Sequence, residues 1–152
     1  MSHKTPAQYK PGHRSNFYED RESTALWNWA QMFPVLREHL YHIPNGGNRN
    51  PREGARMKGM GVRAGVHDYH LPVPRGGFHG LWVELKATPP NAAAVSVGQK
   101  EWEVKMRDLG HAVYICKGWE TAMKVFRWYL AMPPVPVIVE CPPLESVLKE
   151  MA

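Results

Sequence analysis

Gly65-Val66-His67-Asp68-Tyr69-His70-Leu71-Pro72, followed by Gly80-Leu81-Trp82-Val83-Glu84-Leu85-Lys86-Ala87, decides how this chain folds. Both runs place β-branched and aromatic residues between Gly and Pro, the composition of strands. Pro74-Arg75-Gly76-Gly77 between them is a turn signal, so the two runs predict a hairpin. Asp68 and Glu84 are equidistant from Gly76, and a symmetric register sets their carboxylates opposite each other on one face, roughly 5 Å apart at Cβ. Like charges so placed destabilise a sheet unless something positive lies between them. A hard divalent cation held by oxygen ligands is the obvious candidate. Lys86 points to the same face by alternation, and Leu81, Val83 and Leu85 make an apolar row on the other. The same residues would also suit a solvated hairpin face, because D…ExK alone is a short pattern.

The whole chain sets the frame around that hairpin. Its 152 residues make one domain able to bury a single core, and 43% hydrophobic with 22% charged residues is ordinary for a globular protein. No apolar run is long enough to span a membrane, and Met1-Ser2-His3-Lys4 lacks the apolar stretch of a signal peptide. Two cysteines, Cys116 and Cys141, read as reduced thiols, so the expected location is cytoplasmic, in a bacterium or a phage-infected host. The net charge is +5, and it is concentrated. From Arg49 to Arg75, six cations (Arg49, Arg52, Arg56, Lys58, Arg63, Arg75) face two carboxylates, Glu53 and Asp68. A local basic excess beside clustered carboxylates suggests a polyanion, with a phosphate backbone foremost.

A pass along the chain predicts a loose segment over 1–14, a folded domain over 15–132 and a Pro-rich tail over 133–152. Asn16 and Glu19 form a capping-box pattern opening a helix that runs to about Phe33, with Tyr18, Ala25, Leu26, Trp29 and Phe33 as its stripe. Pro34 ends it. Leu40 to Ile43 suits a short strand, and Asn50-Pro51 starts a short helix. After the hairpin, Ser96 caps a helix that ends at Gly110, His111 to Cys116 is a strand, and Trp119 to Leu130 is a helix.

Three groups of residues admit two readings. Glu22 shares the helix face of Leu26, Trp29 and Phe33, where a carboxylate must be paired, metal-bound or near an edge. It also lies near the helix start, where the dipole favours negative charge. Gln99 completes a capping box with Ser96, or else its amide stands at the mouth of the site. His67, His70 and His79 lie near Asp68, but no HExxH or HxH spacing supports zinc, and a structural role is the better reading.

Taken together, Pro44-Asn45-Gly46-Gly47-Asn48-Arg49, Gly61-Val62-Arg63-Ala64-Gly65-Val66-His67-Asp68, Glu84-Leu85-Lys86 and Gln99 resemble the virus-type replication-repair nuclease domain, VRR-Nuc, a branch of the PD-(D/E)xK superfamily. The resemblance runs from about Arg21 to Leu130. It implies an α/β, restriction-endonuclease-like core in αβββαβ order, a mixed central sheet flanked by helices. It also implies that Asp68 and Glu84 are metal ligands, that Lys86 is the catalytic lysine, and that Glu22 and Gln99 support the site. One residue departs: the family usually has proline before the aspartate, where this chain has His67.

On that resemblance, Asp68, Glu84 and the Leu85 carbonyl would hold Mg²⁺ or Mn²⁺, with Glu22 reaching the ion through water or binding a second one. Asn45, Gly46, Gly47, Arg49, Arg52, Arg56, Lys58 and Arg63 would meet DNA, the two glycines by backbone amides. The expected activity is metal-dependent, structure-selective cleavage of branched DNA, above all four-way junctions, by a homodimer. Trp27, Trp119 and Trp128 cannot all face one small core and could serve its interface. A flap or nicking nuclease is the alternative enzyme, and a catalytically silent DNA-binding subunit the alternative of another class.

Overall fold

The computed structural model describes residues 14–45 and 50–152. Gly46, Gly47 and Arg49, and the expected loose segment up to residue 13, lie outside the described residues. The elements run α1 (Arg14–Ala30), α2 (Pro34–His39), β1 (Tyr41–His42), α3 (Pro51–Gly59), β2 (Tyr69–Leu71), β3 (Leu81–Lys86), α4 (Val97–Asp108), β4 (Ala112–Lys117), α5 (Trp119–Ala131) and α6 (Leu144–Glu150). The four strands form one mixed sheet in the order β1-β2-β3-β4, antiparallel at the first two junctions and parallel at the third. This is the expected restriction-endonuclease-like arrangement. Among the described residues no helix is long and apolar enough to cross a membrane.

Local chemistry accounts for most boundaries. The Asn50 side chain accepts the Glu53 N–H at 2.8 Å and Pro51 occupies the first turn, where its missing N–H costs nothing. Ser96 and Gln99 close a reciprocal capping box on α4. Two expectations for α1 are corrected. The helix already includes Asn16, so that residue is not its cap, and it ends at Ala30 rather than near Phe33. Pro34 acts in the opposite sense, opening α2 directly after a three-residue turn.

Strand alternation divides the sheet into two chemistries. Leu81, Val83 and Leu85 join Tyr69, Leu71, Ala112 and Cys116 in a core closed by Leu26 and Ala30 of α1 and by Ala122, Phe126 and Tyr129 of α5. The other face carries Trp82 and Glu84 beneath α4, where Trp82 meets Trp102 edge-on at 5.2 Å and Glu84 meets Gln99. All six residues of β3 are buried. The solvated-face reading of the hairpin is therefore wrong: Glu84 is 2% exposed and Lys86 5%.

Candidate active site

The hairpin register builds the site. Tyr69 pairs with Val83, His70 with Trp82 and Leu71 with Leu81, and one further step brings Asp68 opposite Glu84. The half-buried Asp68 is oriented by the backbone, since its Oδ2 accepts the Leu85 N–H at 2.9 Å. Lys86 Nζ lies 2.9 Å from Glu84 Oε1, a buried ion pair on one strand face. Gln99 Nε2 donates to that same Oε1, while Gln99 Oε1 accepts the Ser96 N–H at 2.9 Å. Both readings of Gln99 hold at once: it caps α4 and it touches the site.

The segment leading into Asp68 is fixed from two sides. A Cβ on Gly65 would stand 2.4 Å from the Gly98 carbonyl carbon, and Gly65 has φ +87°, so only glycine lets this loop lie against the start of α4. Next to Asp68, fully buried His67 has its Nε2 3.2 Å from the Gln99 carbonyl. Burial holds its imidazole below the usual range. Where the family usually has proline, this chain ties the strand to α4 through a side chain. A second histidine, on β2, is structural too: His70 stacks on Trp82 at 4.0 Å, and its Nδ1 lies 2.5 Å from the Tyr41 hydroxyl.

Glu22 does not join Asp68 and Glu84. Its Oε1 accepts from the Thr88 N–H at 3.1 Å and hydroxyl at 2.5 Å, and its Oε2 accepts the Trp119 N–H at 2.8 Å. Burial pushes its carboxyl up, but these hydrogen bonds outweigh that and hold it below the ordinary value. Glu22 thus caps α5, whose N-cap, Gly118, offers no side chain. The α1 carboxylate that does reach the site is Glu19, one turn earlier. Its Oε1 is buried without a hydrogen-bond partner, and it exchanges charge interactions with Lys86, Asp68 and Glu84. A signal for it existed: Glu19, Glu22, Leu26 and Ala30 share one helix stripe. The capping reading of Asn16 and Glu19 concealed it.

The three carboxyls repel their own ionisation. Burial, then the charge of Asp68, pushes Glu84 up to about 7, against the attraction of Lys86. Burial likewise raises Asp68 and Glu19. Glu84 Oε2, like Glu19 Oε1, is buried and partnerless, and such atoms cost about 1–3 kcal/mol each when nothing meets them. Hard anionic oxygens in this state fit Mg²⁺ or Mn²⁺. Among the described residues no three His, Cys, Asp or Glu side chains gather into a ligand cage.

The basic residues are spread unevenly around this centre. Asn45 is used structurally, its Nδ2 donating to the Val66 carbonyl at 2.6 Å. Arg52 is exposed on α3, and Arg56 pairs with Glu53 at 3.4 Å. Lys58 and Arg63 line a cleft between α3 and α4.

A buried strand bearing Glu84-x-Lys86 opposite Asp68, on a mixed four-stranded sheet flanked by helices, is a restriction-endonuclease-like arrangement. No family model and no curated protein matches the chain. A solved structure described as "VRR_NUC domain protein" superposes with a TM-score of 0.68 over 82% of this chain and 97% of that one, at 25% identity. The chain carries a VRR-Nuc domain.

Proposed function

We propose that the domain is a Mg²⁺- or Mn²⁺-dependent endonuclease that cleaves branched DNA. The observation carrying this reading is the pair of buried, partnerless carboxylate oxygens, Glu84 Oε2 and Glu19 Oε1, beside Asp68 and Lys86. Asp68, Glu84 and the Leu85 carbonyl would hold the ion, with Glu19 in the supporting place expected of Glu22. A bound divalent ion supplies Lewis acidity toward the scissile phosphate and the attacking water. The protein's part is orientation and charge. The Leu85 N–H fixes one carboxylate and the Gln99 amide the other, while Lys86, held by the Glu84 it neighbours, offsets negative charge developing on the phosphate.

Selectivity for four-way junctions and a homodimeric state are the finer parts of the proposal. A two-fold dimer would bring two such sites to the two symmetric strands of a junction. In support, Trp27 and Trp128 are exposed, and the tail presents Val137, Ile138 and Val139 at 76–89% exposure. Trp119, by contrast, packs against the core. A panel of duplex, flap, nicked and four-way junction DNA with Mg²⁺, Mn²⁺ or chelator tests all parts together. Cleavage that needs metal and is lost in Asp68→Asn and Glu84→Gln is expected, with junctions preferred and a dimer in sedimentation. Metal-independent cleavage, or full turnover in either variant, would refute the site. A monomer cutting duplex and junction equally would refute only the finer part.

A further inference from the structure

The cleft between α3 and α4 has a volume of about 660 Å³, in the range of sites that enclose a small ligand. Lys58, Arg63 and Lys105 line it against a single carboxylate, Glu101. Among the described residues none of these four makes an ion pair, whereas nearby Arg56 and Arg107 are paired with Glu53 and Glu103. The cleft therefore keeps a positive surplus. Half-buried Trp102 forms part of its wall and is braced by the edge of Trp82. Gly54 and Gly61 also line it, and a Cβ on either would meet nothing within 4 Å. Gly54 lies inside α3, where glycine costs about 1 kcal/mol relative to alanine, and it presents no side chain to the cleft.

The cleft adjoins the site. Gly98 and Ala64 are lining residues; the next residues along, Gln99 and Gly65, touch Glu84 and the start of α4 respectively. A recessed indole flanked by cations suits a base stacked on an aromatic, with its phosphates on Lys and Arg. Paired bases inside a duplex cannot reach into such a recess; an unpaired one can. We infer that this cleft takes one unpaired nucleotide of the substrate strand, its base against Trp102 and its flanking phosphates on Lys58, Arg63 and Lys105. The inference rests on the nuclease reading and names the feature of branched DNA that the domain would hold: a base freed from its stack beside the cut.

The test uses the full chain in chelator with branched DNA carrying one 5-iodocytosine at an unpaired position beside the branch. Irradiation should give an adduct that maps to Trp102. Binding of a short single-stranded oligonucleotide should weaken at least about fivefold in Trp102→Leu, the loss of one base–aromatic stack. Trp102→Phe, which keeps a ring against Trp82, should retain the wild-type melting temperature and an intermediate affinity. Adducts confined to other residues, or wild-type affinity in Trp102→Leu, would overturn the assignment even if branched DNA is cleaved normally. Failure of the nuclease reading looks different: no substrate is cut with either metal, whatever the crosslink shows.

Discussion

Glu22 Oε2 accepts the Trp119 N–H at 2.8 Å across 97 positions of sequence, so the first helix of the fold caps the helix that closes its core. Because Glu19 rides on that same helix, a structural carboxylate and a site carboxylate sit one turn apart, and they should fail differently. Glu22→Ala should lose about 0.5–2 kcal/mol of stability, the worth of a cap, with turnover of the folded protein retained. Glu19→Gln should keep or raise the melting temperature and lower turnover on the order of tenfold or more. Thermal melts beside steady-state cleavage separate the two, and the reverse pattern would exchange their roles.

Divalent metal should stabilise the protein by binding the folded state alone. At a metal concentration about 100 times the dissociation constant, the gain is about 2.7 kcal/mol. Asp68→Asn or Glu84→Gln should shrink that gain, and calorimetry with and without Mg²⁺ or Mn²⁺ measures it. An equal gain in Glu84→Gln would place the ion elsewhere.

The contribution of Glu84 to the pH dependence of the metal-free protein has a definite sign. Glu84 titrates near 7 in the fold against an ordinary 4.5, so the folded state holds a proton that the unfolded state has released. Its contribution to stability should therefore be full below about pH 4.5, fall as pH rises to about 7, and level off above, by up to about 3 kcal/mol, while His70, held by burial near 4, contributes with the opposite sign over much of that range. The difference between wild type and Glu84→Gln should carry that slope, because Asp68 and Glu19, which shift in the same direction, and the histidines, which shift oppositely, are common to both. Denaturant titrations in chelator between these pH values provide the measurement.

The cations should separate by their pairing. Lys58→Ala and Arg63→Ala should each flatten the salt dependence of DNA binding by a slope of about 0.7–0.9. Arg56→Ala should change it less, because Glu53 already neutralises part of its charge. Affinities measured across a salt series would show equal slopes for all three if the cleft were not the DNA face.

The hairpin shows how sequence reading succeeds and where it stops. Symmetry about Gly76 gives the Asp68–Glu84 register, yet the turn itself is Gly76-Gly77, with both φ positive and Arg75 bridged to Phe78. Residues 72–74 on one strand then oppose only 79 and 80 on the other, and that one-residue bulge restores the expected pairing. Local signals such as Asn50-Pro51 and the Ser96 cap were legible because their partners are three residues away. Choosing between Glu19 and Glu22 was not. Both lie on one stripe, and which of them meets β3 depends on where α5 begins, a fact set by packing. The burial of Lys86 was equally hidden, because it requires α4 and α1 to close over an alternating strand.

Gln99 joins two decisions that are usually separate. A capping box is served about as well by glutamate as by glutamine. Here the far end of the same side chain must donate to Glu84, and only the amide can do both. Fraying of the first turn of α4 and loss of aim in the Glu84 carboxylate are therefore a single motion. A Gln99→Glu change, invisible to the helix, would set a fourth negative charge among three. The residue type at this helix start is thus set by the carboxylate it faces.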